Sequence, residues 1–135
     1  MRQDQRLSRV LHALLHLDEM KSSATSDQIA GMLQTNPAVV RRTMAGLRDA
    51  GIVASSKGHG GGWLLTKKLG DITLFEIYEA LGSPQLFAIG NDEDEPTCAM
   101  AKAANTATND ALKVARQEFQ RSLEQTTVAQ LVDRH

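Results

Sequence analysis

The chain of 135 residues has the length of one domain, or of one small domain with an appended element, and its make-up of 41% hydrophobic, 23% charged and 4% aromatic residues predicts a packed core of mostly Leu, Ile, Val, Met and Ala. No run nears the roughly 18 apolar residues of a membrane span and no secretory signal opens the chain, so the expected address is the cytoplasm with no membrane partner; the single cysteine excludes an internal disulfide and a zinc ribbon within one chain. The net charge of −1 hides a polarity: residues 1–70 have ten Lys and Arg against five Asp and Glu, a balance of +5, and residues 71–135 have five against eleven, a balance of −6, as expected of a polyanion-binding front and an acidic back.

Residues 7–20 carry Leu7, Val10, Leu11, Leu14, Leu15 and Leu17 at the i, i+3, i+4, i+7 spacing of one helix face. Lys21, Ser22 and Ser23 are a polar break. Thr25 then reads as an N-cap, and Gln28 three residues later completes a capping box. Ile29, Ala30, Met32 and Leu33 are the apolar positions of a short second helix. After a turn at Gln34 and Thr35, Asn36 caps a third helix with Pro37 at its first position, where the missing N–H costs nothing. That helix runs to about Ala50, and Gly51 can take the left-handed cap. Val40, Met44 and Leu47 form its inner stripe, with Arg41, Arg42, Arg48 and Asp49 on other faces.

Ile52, Val53 and Ala54 form a short strand pattern, residues 57–62 are too glycine-rich for helix or strand, and Trp63, Leu64, Leu65 and Thr66 resume the strand. A β-hairpin with a glycine tip follows. A helix is predicted over 71–82, with Thr73 as its cap and Leu74, Ile77, Tyr78 and Leu81 as its apolar face. The segment 83–97 holds two prolines, a glycine and the acidic run Asp92, Glu93, Asp94 and Glu95, the composition of a linker. Residues 99–125 are the longest helical stretch, with Leu112, Ala115, Phe119 and Leu123 on one stripe. A cap at Thr126 or Thr127 opens a short tail with Val128, Leu131 and Val132.

The predicted fold is therefore mainly α with a small β-wing: a winged helix–turn–helix over 1–82, a linker loop over 83–98, and a long helix with its tail over 99–135 that reads as a dimerisation element, the alternative being that it folds back on its own domain. A helix fits the major groove of B-DNA, and polar residues near its start reach base edges. Asn36, Ala38, Arg41 and Arg42 occupy those early positions. Arg48 lies later, suited to a phosphate or to pairing with an acid. Lys57, Gly58, His59 and Gly60 form a wing tip able to approach the DNA backbone or minor groove. Two readings stand: a DNA-binding regulator, or a winged helix used for protein interaction.

Residues 37–53, Pro-Ala-Val-Val-Arg-Arg-Thr-Met-Ala-Gly-Leu-Arg-Asp-Ala-Gly-Ile-Val, followed by Lys57 to Leu65 at the wing, resemble the Rrf-two (BadM-type) family of bacterial winged-helix transcription factors. The wing pattern of a basic residue, Gly, any residue, three glycines and an aromatic is matched by Lys57 to Trp63. Residues 71–77 and 126–131 are similar to the family's helix after the wing and its tail, so the resemblance spans nearly the whole chain. It implies a homodimer joined through the long helix, acting as a repressor on an inverted repeat of double-stranded DNA, with the two recognition helices about one DNA turn, roughly 34 Å, apart. Cluster-binding relatives carry three closely spaced cysteines before the long helix. This chain has only Cys98 there, so the resemblance is to the cluster-free branch, and no iron–sulfur cofactor is expected.

Cys98 opens the long helix, where the N-terminal dipole favours a thiolate and the acidic run opposes it. It reads either as a redox sensor or as a buried, unreactive cap-region cysteine. A small-molecule effector is the other candidate signal, acting between the linker and the long helix. His12 and His16 stand at i, i+4, a spacing that can hold a metal, but no third ligand is evident and no metal site is expected. Trp63 reads as an anchor of the wing. No nucleophile–base pair, phosphate loop or carboxylate pair stands out, so an enzyme is not expected.

Overall fold

Three helices follow one another at the start of the computed structural model, which describes residues 3–56, 62–90 and 97–132: α1 (Arg6–Met20), α2 (Ser26–Leu33) and α3 (Pro37–Asp49). Val10, Ala13, Leu14 and Leu17 bury the inner face of α1, while Leu7, Leu11 and Leu15 are half-buried along its flank. The capping box of α2 forms in full. Thr25 Oγ1 accepts from the Gln28 N–H at 3.1 Å, and Gln28 Oε1 accepts from the Thr25 N–H at 2.8 Å. Asn36 Oδ1 accepts from the Val39 N–H at 3.0 Å and starts α3. Gly51, with φ +80, ends it. The two caps fix a turn of a few residues between α2 and α3, which sets the crossing of the helix–turn–helix.

β1 (Val53–Ser55) pairs antiparallel with β2 (Trp63–Leu65), Val53 facing Leu65 and Ser55 facing Trp63. The first strand thus begins one residue later than expected. Ile52 instead closes α3: its N–H donates to the Leu47 carbonyl at 2.9 Å, and its own carbonyl accepts from Thr66 at 3.1 Å. The second strand likewise stops at Leu65, because Thr66 Oγ1 turns to donate to the Gly51 carbonyl at 2.6 Å. The other edge of β2 is covered too. Ala24 donates its N–H to Trp63 at 3.0 Å and accepts from the Trp63 N–H at 2.7 Å, so the break between α1 and α2 acts as a one-residue third strand.

The helix expected over 71–82 is shorter. Leu69–Asp71 form a 3₁₀ turn, Ile72 is extended and fully buried, and α4 spans Leu74–Ala80. Its start is set by a second capping box, in which Thr73 Oγ1 accepts from the Glu76 N–H at 3.1 Å and Glu76 Oε1 accepts from the Thr73 N–H at 3.3 Å. Replacing Thr73 by Ala removes this cap and is expected to cost about 1 kcal/mol, read as a lower denaturant midpoint with an unchanged m-value.

α5 (Ala99–Glu124) has 26 residues and a length of about 39 Å. It packs on the seven-residue α4, which is about 10 Å long, so most of α5 extends past it. After α5 the chain turns back. Leu74 donates its N–H to Thr126 and Val128 donates to Ile72, both at 2.9 Å, and Val128 is fully buried in the same core as Leu14, Met44 and Ile77. The short α6 (Ala129–Val132) ends the described residues. The architecture is a winged helix–turn–helix with a long added helix, mainly α with one small sheet. Among the described residues no helix is long and apolar enough to cross a membrane.

Candidate nucleic-acid interface

Val40, Met44 and Leu47 turn one side of α3 into the core, which fixes what the opposite side presents. At 3.6 residues per turn, Ala38, Arg42, Ala45 and Asp49 lie furthest from that stripe, with Arg41 and Arg48 along one flank. Ala38, Arg41, Arg42, Arg48 and Asp49 are all exposed, as is the capping residue Asn36. Arg48 Nε lies 3.5 Å from Asp49 Oδ1, a loose exposed pair that draws it toward an acid. Arg41 and Arg42 are in no ion pair among the described residues. The small Ala38 and Ala45 beside Arg42 let the helix approach a base-pair edge closely, and the guanidinium can then bond two acceptors of guanine.

On the other flank a cleft of about 360 Å³ is lined by Arg6, Val39, Arg42, Thr43, Gly46 and Leu81, among others. Arg6 enters it already paired with Asp4, Nη2 to Oδ2 at 2.8 Å. The hydrogen bond from Arg6 holds the Asp4 carboxyl below the usual carboxylate range. Arg42 is therefore the cation of this cleft without a carboxylate among the described residues.

The base of the wing is pinned on both sides. The Ser56 N–H donates to the Gly62 carbonyl at 2.8 Å, and the Gly62 N–H donates to Ser56 Oγ at 2.8 Å. Trp63 is buried and its Nε1–H donates to Ser26 Oγ at 2.9 Å, which ties the wing to the first turn of α2. The expected role of Trp63 as wing anchor holds. Ser26 and Ser56 carry no sequence signal of their own; a buried indole needs an acceptor, but only the fold says which. Lys57, Gly58, His59 and Gly60, expected at the wing tip, lie outside the described residues, as do the acidic residues 92–95.

Cys98 is the N-cap of α5 and is exposed, so the reading of a buried cysteine is corrected. At this helix start nothing among the described residues packs over the sulfur. The backbone N–H groups of Ala101 and then Met100 hold its thiol below the ordinary cysteine range. Elsewhere, Phe75, Tyr78, Phe87 and Phe119, four of the five aromatic residues of the chain, line a cleft of about 290 Å³ between the 83–90 segment and α5. Tyr78 and Phe119 meet edge to face at 5.4 Å, and the Tyr78 hydroxyl donates to the Pro84 carbonyl. This cleft lies where the sequence placed a small-molecule effector.

A model of the Rrf2 family, described as "Iron-dependent Transcriptional regulator", matches residues 3–134. The chain is 32% identical over 119 residues to the Bacillus subtilis (strain 168) protein named "Putative HTH-type transcriptional regulator YwnA", covering 87% of each. Among solved structures, a Lactobacillus plantarum protein given a similar description superposes with a TM-score of 0.81 at 24% identity, covering 96% of this chain and 88% of that one. CymR (YrzC), the global cysteine regulator of B. subtilis, superposes at 0.71 and 20% identity over 100% and 98%, a likeness of fold. An iron centre with cysteine ligands needs several thiolates. The chain has one, and among the described residues no three His, Cys, Asp or Glu side chains converge, so its donor set does not fit such a centre. A capped, basic α3 above a pinned wing, together with a family match over nearly the whole length, places this chain in the Rrf2 family of transcriptional regulators.

Proposed function

We propose that the chain is a homodimeric, sequence-specific DNA-binding repressor that works without an iron–sulfur cluster. The observation that carries this reading is the outward face of α3, where Arg41 and Arg42 stand exposed and outside any ion pair among the described residues. Asn36 and Ala38 complete the base-reading end, and Lys57 to Gly60 brace the phosphates. Arg48 holds a backbone contact once it leaves Asp49. Dimerisation is supported by α5. Ala101, Asn105, Thr108, Leu112, Ala115, Phe119 and Leu123 form a half-buried to buried stripe at spacings of four and three, and on other faces of α5 Met100 and Val114 are 81% and 61% exposed. The part of this face that extends past α4 is stabilised by a partner helix. A two-fold axis through α5 presents two copies of α3 to an inverted repeat.

The test is a binding selection on genomic fragments with purified protein at near-physiological salt, read by sequencing. An enriched inverted repeat supports the reading; no enrichment favours the protein-interaction alternative. Sedimentation should give a dimer.

Cys98 is the proposed entry of a thiol-directed signal, because it is exposed and its thiolate is favoured by the start of α5. Alkylation by iodoacetamide should rise with pH through a midpoint below that of an ordinary free cysteine measured alongside, since the thiolate is the nucleophile. Diamide, which takes up the two thiol hydrogens as the Cys98 thiols of two chains join in a disulfide, should change DNA affinity in the wild type and leave Cys98→Ser unaffected. An unchanged wild-type affinity overturns the thiol signal. The aromatic cleft beside α5 would then be the place for a small-molecule effector, which must favour one dimer geometry over another to act.

A further inference from the structure

His12 and His16 lie on the outward face of α1, opposite Val10, Leu14 and Leu17, and take no part in the DNA or dimer reading. Their Nε2 atoms are 2.9 Å apart, with ring centroids at 4.7 Å. We propose that this pair is a two-imidazole chelate for a late first-row divalent cation of tetragonal preference, Cu²⁺ or Ni²⁺.

The argument is geometric. Imidazole nitrogens bind such metals at about 2.0–2.1 Å. Two nitrogens 2.9 Å apart then subtend about 90° at the metal, the angle of neighbouring ligands in a square-planar or octahedral shell. A tetrahedral zinc shell opens that angle and needs the nitrogens roughly 3.3 Å apart. The two atoms already converge, so little side-chain rearrangement is required. In the metal-free pair, one Nε2–H donates to the other Nε2, so one ring carries its proton there. On binding, that proton passes through water to Nδ1 of the same ring, and both Nε2 lone pairs face the cation. His12 is exposed and His16 half-buried, which leaves the remaining coordination positions to water. Among the described residues no third His, Cys, Asp or Glu side chain joins the pair, so the protein supplies two ligands. The sequence suggested no site because it showed no third ligand; the convergence of the two nitrogens is visible only in the folded helix. Fe²⁺ stands low in the affinity order for such donors, so this is not the iron centre named in the family description.

The test titrates Cu²⁺ and Ni²⁺ into the full-length Cys98→Ser chain by calorimetry, so that the thiol neither binds nor reduces the metal. One site per chain is expected, tighter for Cu²⁺ than for Ni²⁺. His12→Gln and His16→Gln should each weaken it at least tenfold, with His59→Gln unchanged. Electron paramagnetic resonance of the Cu²⁺ form should show a tetragonal signal split by two nitrogens. Absence of binding below millimolar cation overturns the proposal. So does affinity that persists in both glutamine variants, or a Cu²⁺ spectrum without two equivalent nitrogens.

Discussion

Arg42→Ala is expected to weaken operator binding by about 5–150-fold, the 1–3 kcal/mol of a good bidentate base contact, with the helical circular dichroism unchanged. The side chain is exposed, outside any ion pair among the described residues, and points away from the Val40–Met44–Leu47 stripe, so its removal exposes no core. Arg41→Ala should show a loss of the same order. Anisotropy titrations on operator and scrambled DNA over a range of salt separate two roles. If the arginine reads a base, the loss is confined to the operator and the salt slope is kept. If it neutralises a phosphate, the loss is uniform and the log–log slope falls by about one. Unchanged affinity in both variants would overturn the DNA reading of α3 and favour the protein-interaction module.

Gly62→Ala should destabilise the protein by about 1–3 kcal/mol, lowering its melting temperature by several degrees. A Cβ at this position would sit 2.4 Å from the Ala24 carbonyl oxygen, 2.6 Å from its carbon and 2.9 Å from the Thr25 nitrogen. All three are backbone atoms and cannot rotate away. Relief would part the Ala24–Trp63 bridge, disturb the Trp63–Ser26 hydrogen bond and strain the cap of α2. The wing would lose its seat on the helix–turn–helix, so DNA affinity should fall with stability. Gly31→Ala is the control. It lies exposed in α2 with nothing within 4 Å of the added methyl, so it should stabilise by roughly 0.5–1 kcal/mol. Chemical denaturation of the two variants measures both; a neutral Gly62→Ala would mean that the segment around Ala24 yields freely.

The local signals held where a few adjacent residues decide the outcome. Thr25 with Gln28, Asn36 with Pro37, and Gly51 mark their caps without help from the rest of the chain, because each satisfies or ends a helix through atoms three or four residues away. The apolar stripes of α1 and α3 were equally legible, since burial follows the helical period. From those stripes the outward position of Arg42 follows directly. The start of α4 was blurred for an opposite reason. The 3₁₀ turn at Leu69–Asp71 and the extended Ile72 exist because Ile72 and Val128 pair across the core, a contact between residues far apart in the chain.

Chain order and side-chain period were enough to identify the helices, their caps and the exposed basic face of α3. Long-range contacts decided the rest. Ala24 became a strand only because Gly62 lets the two backbones touch, and Ser26 became the partner of Trp63 because that bridge brings them together. The same holds for the return of Val128 into the core and the gathering of four aromatics beside α5. Each depends on residues separated by tens of positions, whose meeting is fixed by how the helices pack and not by any local preference.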